Sequence, residues 1–431
     1  MQIDLGAAIA VLLAPYYFPG NLERAISLHL SARKSHRSPA PAMKSTSLAP
    51  LDASQLTITL TDSPLPLPSA SSASTKNHTD HIALVTWDAT HGWSAPKITP
   101  YANLSLPPTA STLHYATSCF EGLKLYRGWD GKLRLFRPLE NCRRLLSSAT
   151  RAALPEFDPE QLKQLVRLLC LVDGPKWLPD ETARGTCLYI RPTMIGIDDD
   201  LGCHVPTKVL LYVIMTCPPR FPATHMAHGL KLLGSTEQQV RAWLGGSGYA
   251  KVAANYGPTL AASGAAQQNG YDQVLWLFGP ERLVTEAGGA NFFVIWRNKS
   301  GGLEMVTAAL EGGLILPGIT RRSVLELARS RFHETREWTS EGKQVMPEKL
   351  DVVERDFSIY EIAEAAQEGR LLSAFAVGTA VTITPVSRID FADQHVSIEV
   401  DLVPHRALLA AWLLDIMYGK AESEWMEAIE D

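Results

Sequence analysis

Lys251 lies in a bed of small residues. The stretch from Arg241 to Pro258 reads RAWLGGSGYAKVAANYGP: Gly245, Gly246, Ser247, Gly248 and Ala250 precede the lysine, and Val252, Ala253 and Ala254 follow it. Small residues let backbone or a flat ligand approach closely. An amine among apolar groups loses hydration and its pKa falls. A neutral amine is what Schiff-base chemistry with a carbonyl needs. Taken alone, the stretch reads better as a flexible Gly/Ala loop with a solvated lysine. A P-loop is excluded, because it needs Gly-Lys-Ser/Thr and Lys251 lies between Ala250 and Val252.

Other stretches carry groups of matching chemistry. Leu316-Pro317-Gly318-Ile319-Thr320 places the first free amides of a predicted helix at a glycine, a ready anion site. Arg143 and Arg144 are adjacent in LRLFRPLENCRRL, so they cannot share one helix face. Glu286 ends a predicted strand, and Tyr256 stands five residues beyond the lysine.

Taken together, these stretches resemble the branched-chain amino-acid aminotransferases, pyridoxal-phosphate (PLP) enzymes of fold type IV. The motifs are RAWLGGSGYAKVAANYGP, HYATSCFEGLKLYRG with LRLFRPLENCRRL, LYIRPTMIG, TEAGGANFFVIW, and LILPGITRRSVLEL with VGTAV, in the family's order. The resemblance implies that Lys251 holds the PLP aldehyde and acts as general acid/base. It implies that Glu286 meets the ring nitrogen and Tyr256 the ring hydroxyl. The phosphate falls to Arg144, the backbone N–H groups of Ile319 and Thr320, and Thr379. The implied substrate pocket comprises Tyr115, Phe120, Tyr189, Arg191, Gly289 and Ala380, with the loop Leu201-Gly202-Cys203 entering from a second subunit of a homodimer. Three departures stand out. Gly289 replaces a threonine of vertebrate members, His78 replaces a usual phenylalanine, and Val381 and Thr384 replace a C-x-x-C.

The elements that must position these residues are legible from periodicity. Strands are predicted at 81–87, 123–127, 133–136, 188–192 and 208–216, with Asp130-Gly131 as a hairpin turn. Helices are predicted over 138–154 and over 160–172, the latter capped by Asp158 and stopped at Gly174. In the second half a helix runs from Pro258 to Gln268. Hairpins join 273–278 to 282–286 and 292–296 to 303–307. A helix starts at Gly318, another follows in FSIYEIAEAAQEG, and HRALLAAWLLDIMYG closes the chain. LLSAFAVGTAVTITPV reads as one long strand broken locally at Gly378. Arg191 is expected at a strand end.

Strands and helices do not alternate regularly, which predicts an α+β fold. The resemblance makes it a fold type IV enzyme of two α/β domains with the active site between them. The expected organisation is an N-terminal extension and arm over 1–78, a small domain over 79–216, a linker over 217–226, and a large PLP-binding domain over 227–431. The proline-dense CPPRFPATH marks the linker.

With 431 residues, 46% hydrophobic and 20% charged, the composition is that of an ordinary globular protein. A net charge of -5 argues against a broad electrostatic role with nucleic acid. The six cysteines lack C-x-x-C spacing, which fits reduced thiols and no zinc site. The apolar run Leu5–Leu13 is far short of the ~20 residues that span a bilayer, so no membrane partner is expected. Serines with Arg24, Arg33, Lys34 and Arg37 resemble a mitochondrial presequence, against which Asp4 and Glu23 count. Met43 offers an alternative start, so cytoplasm and mitochondrion both stay open.

The expected activity is transamination of L-leucine, L-isoleucine and L-valine with 2-oxoglutarate. The alternatives are another fold type IV enzyme, such as a D-amino-acid aminotransferase or aminodeoxychorismate lyase, or a specialised-pathway aminotransferase for an unusual aliphatic amino acid. A non-catalytic relative or a Schiff-base enzyme without PLP fits less well beside Lys251, Glu286 and Arg144 together.

Overall fold

Two sheets organise the chain in the computed structural model, which describes residues 48–68, 78–217, 228–340, 343–380 and 382–429. The first is built from β1 (Thr57–Ile58), β2 (His81–Asp88), β3 (Gly92–Trp93), β4 (Lys97–Pro100), β5 (Ser118–Phe120), β6 (Leu123–Arg127), β7 (Leu133–Phe136), β8 (Thr186–Gly196) and β9 (Lys208–Thr216). Its order is β1-β4-β2-β9-β8-β6-β7, with β5 also on β8. Helices α1 (Ser111–Tyr115), α2 (Pro138–Arg151), α3 (Pro159–Trp177) and α4 (Asp180–Ala183) lie between these strands in sequence. Leu145 and Ala149 of α2 and Leu162, Leu165, Val166 and Leu169 of α3 form one core with Leu125, Leu135, Leu188, Ile190 and Val213.

The second sheet contains β10 (Leu230–Gly234), β11 (Gln273–Phe278), β12 (Leu283–Ala287), β13 (Ala290–Arg297) and β14 (Leu303–Thr307). Past the small hairpin β15 (Trp338–Ser340) and β16 (Lys343–Val345) come β17 (Asp351–Glu354), β18 (Leu371–Gly378), β19 (Thr382–Phe391) and β20 (Gln394–Ser397). Strands β10, β11, β12, β13, β18 and β19 pair in a ring, because β12 bonds both β11 and β13. Around it lie α5 (Leu260–Gln268), α6 (Ile319–Arg331), α7 (Ile359–Gln367) and α8 (His405–Met417). A further core joins Tyr126 and Phe136 of the first sheet to Phe293 and Phe375 of the second, with residues of α6 and α8. The last strand, β21 (Met426–Ala428), expected with the second domain, pairs with β7 of the first sheet.

Most expected elements are present, and the mixed α+β class holds. The hairpins around Gly279-Pro280 and 298–302 form as expected, and Ser358 and Glu361 make a capping box at the start of α7. Three readings need correction. LLSAFAVGTAVTITPV is not one strand; it is the hairpin β18–β19, with Gly378 opposite Thr382. Helix α3 does not stop at Gly174 and continues to Trp177. Gly174 is buried, and a Cβ there would sit 2.9 Å from Leu125 Cδ2, so this glycine permits close packing and does not cap the helix. Strand β8 is longer than 188–192 and passes straight through Pro192, so Arg191 sits mid-strand and not at a strand end. The arm, expected to be extended and partly ordered, packs in part: Leu51 and Ala53 are buried, and β1 pairs with β4. Residues 1–47, including the targeting question, and 218–226 of the expected linker lie outside the described residues.

Pro192 within a central strand has a local explanation. Its carbonyl accepts from Glu121 N at 2.9 Å, so its nitrogen faces the same side, where β5 gives way to β6. No ladder donor is needed at that break. Glu121 and Gly122 occupy the break between β5 and β6.

Candidate active site

A cleft of about 180 Å³ lies at this break. Its walls include Lys251, Arg144, Glu286, Tyr189, the start of α6 and the β18–β19 turn. Lys251 is held by its backbone. Its N–H donates to Ser148 Oγ at 2.8 Å, and its carbonyl accepts from Phe120 N at 3.0 Å. Asn255 fixes the loop by donating to the Ser247 and Ala250 carbonyls, both at 2.8 Å. Lys251 Nζ lies 3.1 Å from the Tyr256 hydroxyl and 4.9 Å from the centre of the Phe120 ring. Burial, with the nearby charges of Arg144 and Arg191, brings the amine down to about 8 against the partial opposition of Glu121 and Glu286. Burial pushes the Tyr256 hydroxyl up to about 12, so it keeps its proton near neutral pH.

Helix α2 presents a polar ladder on its buried face. Asn141, Arg144 and Ser148 recur at helical spacing among Cys142, Leu145 and Ala149. Asn141 Nδ2 and Arg144 both reach Glu121, which is 1% exposed, and Ser148 reaches Lys251. Arg144 binds the Glu121 carboxylate through Nε at 2.6 Å and Nη2 at 2.9 Å, and donates to the Pro317 carbonyl at 3.1 Å. Arg143, the next residue on the helix, is exposed. Burial pushes the Glu121 carboxyl up, but the charge and hydrogen bonds of Arg144, with Lys251 and Asn141, outweigh it and hold it below its ordinary value.

Glu286, on β12, is 1% exposed. Its Oε1 accepts from Asn291 Nδ2 at 3.1 Å and Leu316 N at 3.0 Å. Its Oε2 lies 2.6 Å from Arg241 Nη2 yet accepts no hydrogen bond of good geometry. Opposite stands the start of α6, with Gly318 as its N-cap and Ile319 and Thr320 as its first residues. A Cβ on Gly318 would lie 2.1 Å from Asn291 Oδ1, so the close approach requires glycine. The amides of the first turn have no intrahelical acceptor and face the cleft as an anion site. Thr379 and Ala380 line the cleft from the β18–β19 turn, and Gly289 lines it from the β12–β13 turn.

Arg191 and Tyr189 are two apart on β8 and share a face. Arg191 Nη2 donates to the Tyr189 hydroxyl at 3.0 Å, and its guanidinium lies 4.5 Å from the centre of the Phe120 ring. Its Nε is buried without a partner among the described residues. Gly122 is needed beneath Tyr189, since a Cβ there would lie 1.9 Å from the hydroxyl.

The structure thus gathers Lys251, Arg144, Tyr256, Glu286, Ile319, Thr320, Thr379, Ala380, Gly289, Phe120, Tyr189 and Arg191 around one cleft. Tyr115 is not brought to it. Its hydroxyl donates to the Leu201 carbonyl at 2.5 Å, and both residues are exposed. His78 stacks on Tyr101 at 3.5 Å and is not among the lining residues. Sequence reasoning missed Glu121, Asn141, Ser148, Arg241, Asn255 and Asn291. A signal existed for Asn141 and Ser148, because a polar residue at an apolar helix position needs a buried partner.

Fold and cleft define a class before any particular enzyme. The chain belongs to the class IV aminotransferases, whose family model matches residues 118–389. It is 39% identical to the mitochondrial branched-chain-amino-acid aminotransferase of Schizosaccharomyces pombe, over 86% of this chain and 84% of that one. It is 41% identical to the cytosolic branched-chain-amino-acid aminotransferase of Saccharomyces cerevisiae, over 89% of this chain and 99% of that one. The solved branched-chain amino acid aminotransferase of Escherichia coli shares the fold, with a TM-score of 0.60 at 21% identity, over 80% of this chain and 99% of that one.

Proposed function

We propose that this protein transfers the amino group between L-leucine, L-isoleucine or L-valine and 2-oxoglutarate, using pyridoxal 5'-phosphate. The observation that carries the reading is Lys251, a buried amine near pKa 8 in hydrogen-bond contact with Tyr256, in a cleft walled by a helix N-terminus and a buried carboxylate. Relatives at about 40% identity, named branched-chain-amino-acid aminotransferases, favour it over a D-amino-acid aminotransferase or a lyase.

The residues present fit this cofactor. The buried Oε2 of Glu286 has no well-formed hydrogen bond and suits a ring N–H. The first amides of α6, the Thr379 hydroxyl and Arg144 suit a phosphate. When bound, PLP supplies a carbonyl for Schiff-base formation and a ring that accepts electrons. Lys251 Nζ would carry the proton between the substrate α-carbon and the cofactor's own carbonyl carbon, on the other side of the shared nitrogen. Tyr256, protonated and 3.1 Å away, orients that amine. Glu286, fixed by Asn291 and Leu316 N, would meet the ring nitrogen and favour its protonated form. Phe120 and Tyr189 give the side chain of the substrate an aromatic wall, and Arg191 receives the distal carboxylate of glutamate.

A homodimer fits this reading. Leu113, Tyr115, Leu201 and Val205 are all exposed, and the Tyr115–Leu201 bond joins the two segments that carry them. A partner covering them would bring Tyr115 and the 201–203 loop to a second cleft. Relatives named cytosolic and mitochondrial match equally well, which supports an enzyme of either compartment.

The test is the visible spectrum of the purified chain, followed by a panel of L- and D-amino donors with 2-oxoglutarate. A cofactor band and turnover of L-leucine, L-isoleucine and L-valine are expected. Preference for D-donors, or no band after PLP is added, overturns the reading.

A further inference from the structure

The cation at the phosphate end of the cleft is already spent. Both Glu121 oxygens accept from Arg144, so the pair is close to neutral as a unit. A phosphate dianion needs more than a neutral pair and helix amides, because a buried charge must be matched nearby. A second cation stands two strand residues beyond Gly122. Lys124 is only 8% exposed. Among the described residues its Nζ meets one acceptor, the Ala380 carbonyl at 2.7 Å, and no carboxylate. An ammonium has three N–H donors, so two are unassigned. A gap of about 20 Å³ adjoins it, lined also by Gly122, Asn141, Thr320 and Thr379. The gap can hold one water, which needs roughly 10–15 Å³, but not a phosphate.

We propose that Lys124 is the uncompensated cation of the phosphate site, acting on the phosphate across this gap while its bond to Ala380 holds the β18–β19 turn. The proposal rests on the cofactor reading above. Glu121 then has a defined part: it fixes the plane of Arg144 and leaves the net positive charge to Lys124. Thr320 and Thr379 line both the cleft and this gap, whereas Lys124 lines the gap alone, so it contributes charge without occupying the space of the ring.

The full-length chain, freed of cofactor by dialysis with cysteine, is titrated with PLP and, separately, with pyridoxal, which has the carbonyl but no phosphate. Lys124→Met should weaken PLP about 10-fold, roughly the loss of one charged contact made through a water, and leave pyridoxal unchanged. Lys124→Arg should restore most of the PLP affinity. Inorganic phosphate should raise the melting temperature of the cofactor-free wild type and not that of Lys124→Met. Equal PLP affinity in wild type and Lys124→Met overturns the proposal. An equal loss for PLP and pyridoxal also overturns it, and assigns Lys124 to the turn alone. Failure of the wild type to bind PLP at all would instead sink the cofactor reading. If Lys124→Met does not fold, Lys124→Gln is titrated in its place with the same outcomes.

Discussion

Both oxygens of the Glu121 carboxylate grip the Arg144 guanidinium, at 2.6 and 2.9 Å, with Glu121 1% exposed. Arg144 is therefore a structural partner as well as a cofactor residue. Arg144→Ala should weaken PLP by about 1.5–3 kcal/mol and also destabilise the cofactor-free fold by about 3–5 kcal/mol, because it strands a buried carboxylate. The double variant Arg144→Ala with Glu121→Gln should recover much of the stability and little of the affinity. Exposed Arg143→Ala should change neither. Cofactor titration and denaturant unfolding separate the two effects, and a large effect at Arg143 would show that the other helix face does the binding.

Lys251 gives a pH prediction. Its amine titrates near 8 when folded and near 10.5 when free. A lowered amine pKa means that the folded chain gives up its proton first. The group thus costs stability below pH 8, and the cost fades as pH rises from about 8 to about 10.5. The same shift raises the neutral, nucleophilic fraction near neutral pH. The rate at which the cofactor-free protein captures PLP should rise with a midpoint near pH 8 and level off above it. Stopped-flow absorbance would follow it. A midpoint above 10 would mean that Lys251 is hydrated. Lys251→Ala should remove the visible band and at least ~10³-fold of the rate.

Much of the site was legible because its residues sit where sequence signals are strong. Gly318 before Ile319-Thr320 marks a helix start, and small residues mark Lys251. Helix geometry said that Arg143 and Arg144 could not both reach the site, and the family resemblance, not the spacing, selected Arg144. What stayed hidden depends on pairing across long sequence distance. Glu121 meets Arg144 23 positions away, Lys124 meets Ala380 256 away, and Asn291 meets Leu316 25 away. Periodicity does not report such pairs. The turn after Gly378 was missed because both arms are apolar and Thr379-Ala380 is not turn chemistry. Gly174 looked like a stop because a glycine that permits packing and one that caps a helix read alike.

Tyr115 and Leu201 supply a test of assembly. Leu201→Asp places a charge on the exposed apolar set that includes Leu113 and Val205. Sedimentation should show a dimer for the wild type and a shift toward monomer for the variant, with activity falling in parallel. A monomeric wild type of full activity would remove the partner-subunit role of the 201–203 loop.

Arg191 decides how one pocket takes both an aliphatic chain and glutamate. Aromatic walls at Phe120 and Tyr189 suit a branched chain, whereas the distal carboxylate of glutamate must not be buried unpaired. The guanidinium lies over both rings, 4.5 and 5.1 Å from their centres, bonds the Tyr189 hydroxyl at 3.0 Å, and leaves Nε without a partner. A flat cation held this way can serve as apolar wall when leucine is bound and as donor when glutamate is bound. Arg191→Met keeps the stem and removes the charge. kcat/KM for glutamate should fall about 10- to 100-fold, roughly 1.5–3 kcal/mol for a charged hydrogen bond, while leucine half-reactions change only a few-fold. Because the charge of Arg191 also helps lower Lys251, its loss should move the capture midpoint upward. Single-turnover assays with each donor check the split, and equal losses for leucine and glutamate would place Arg191 at the α-carboxylate or in support of the fold.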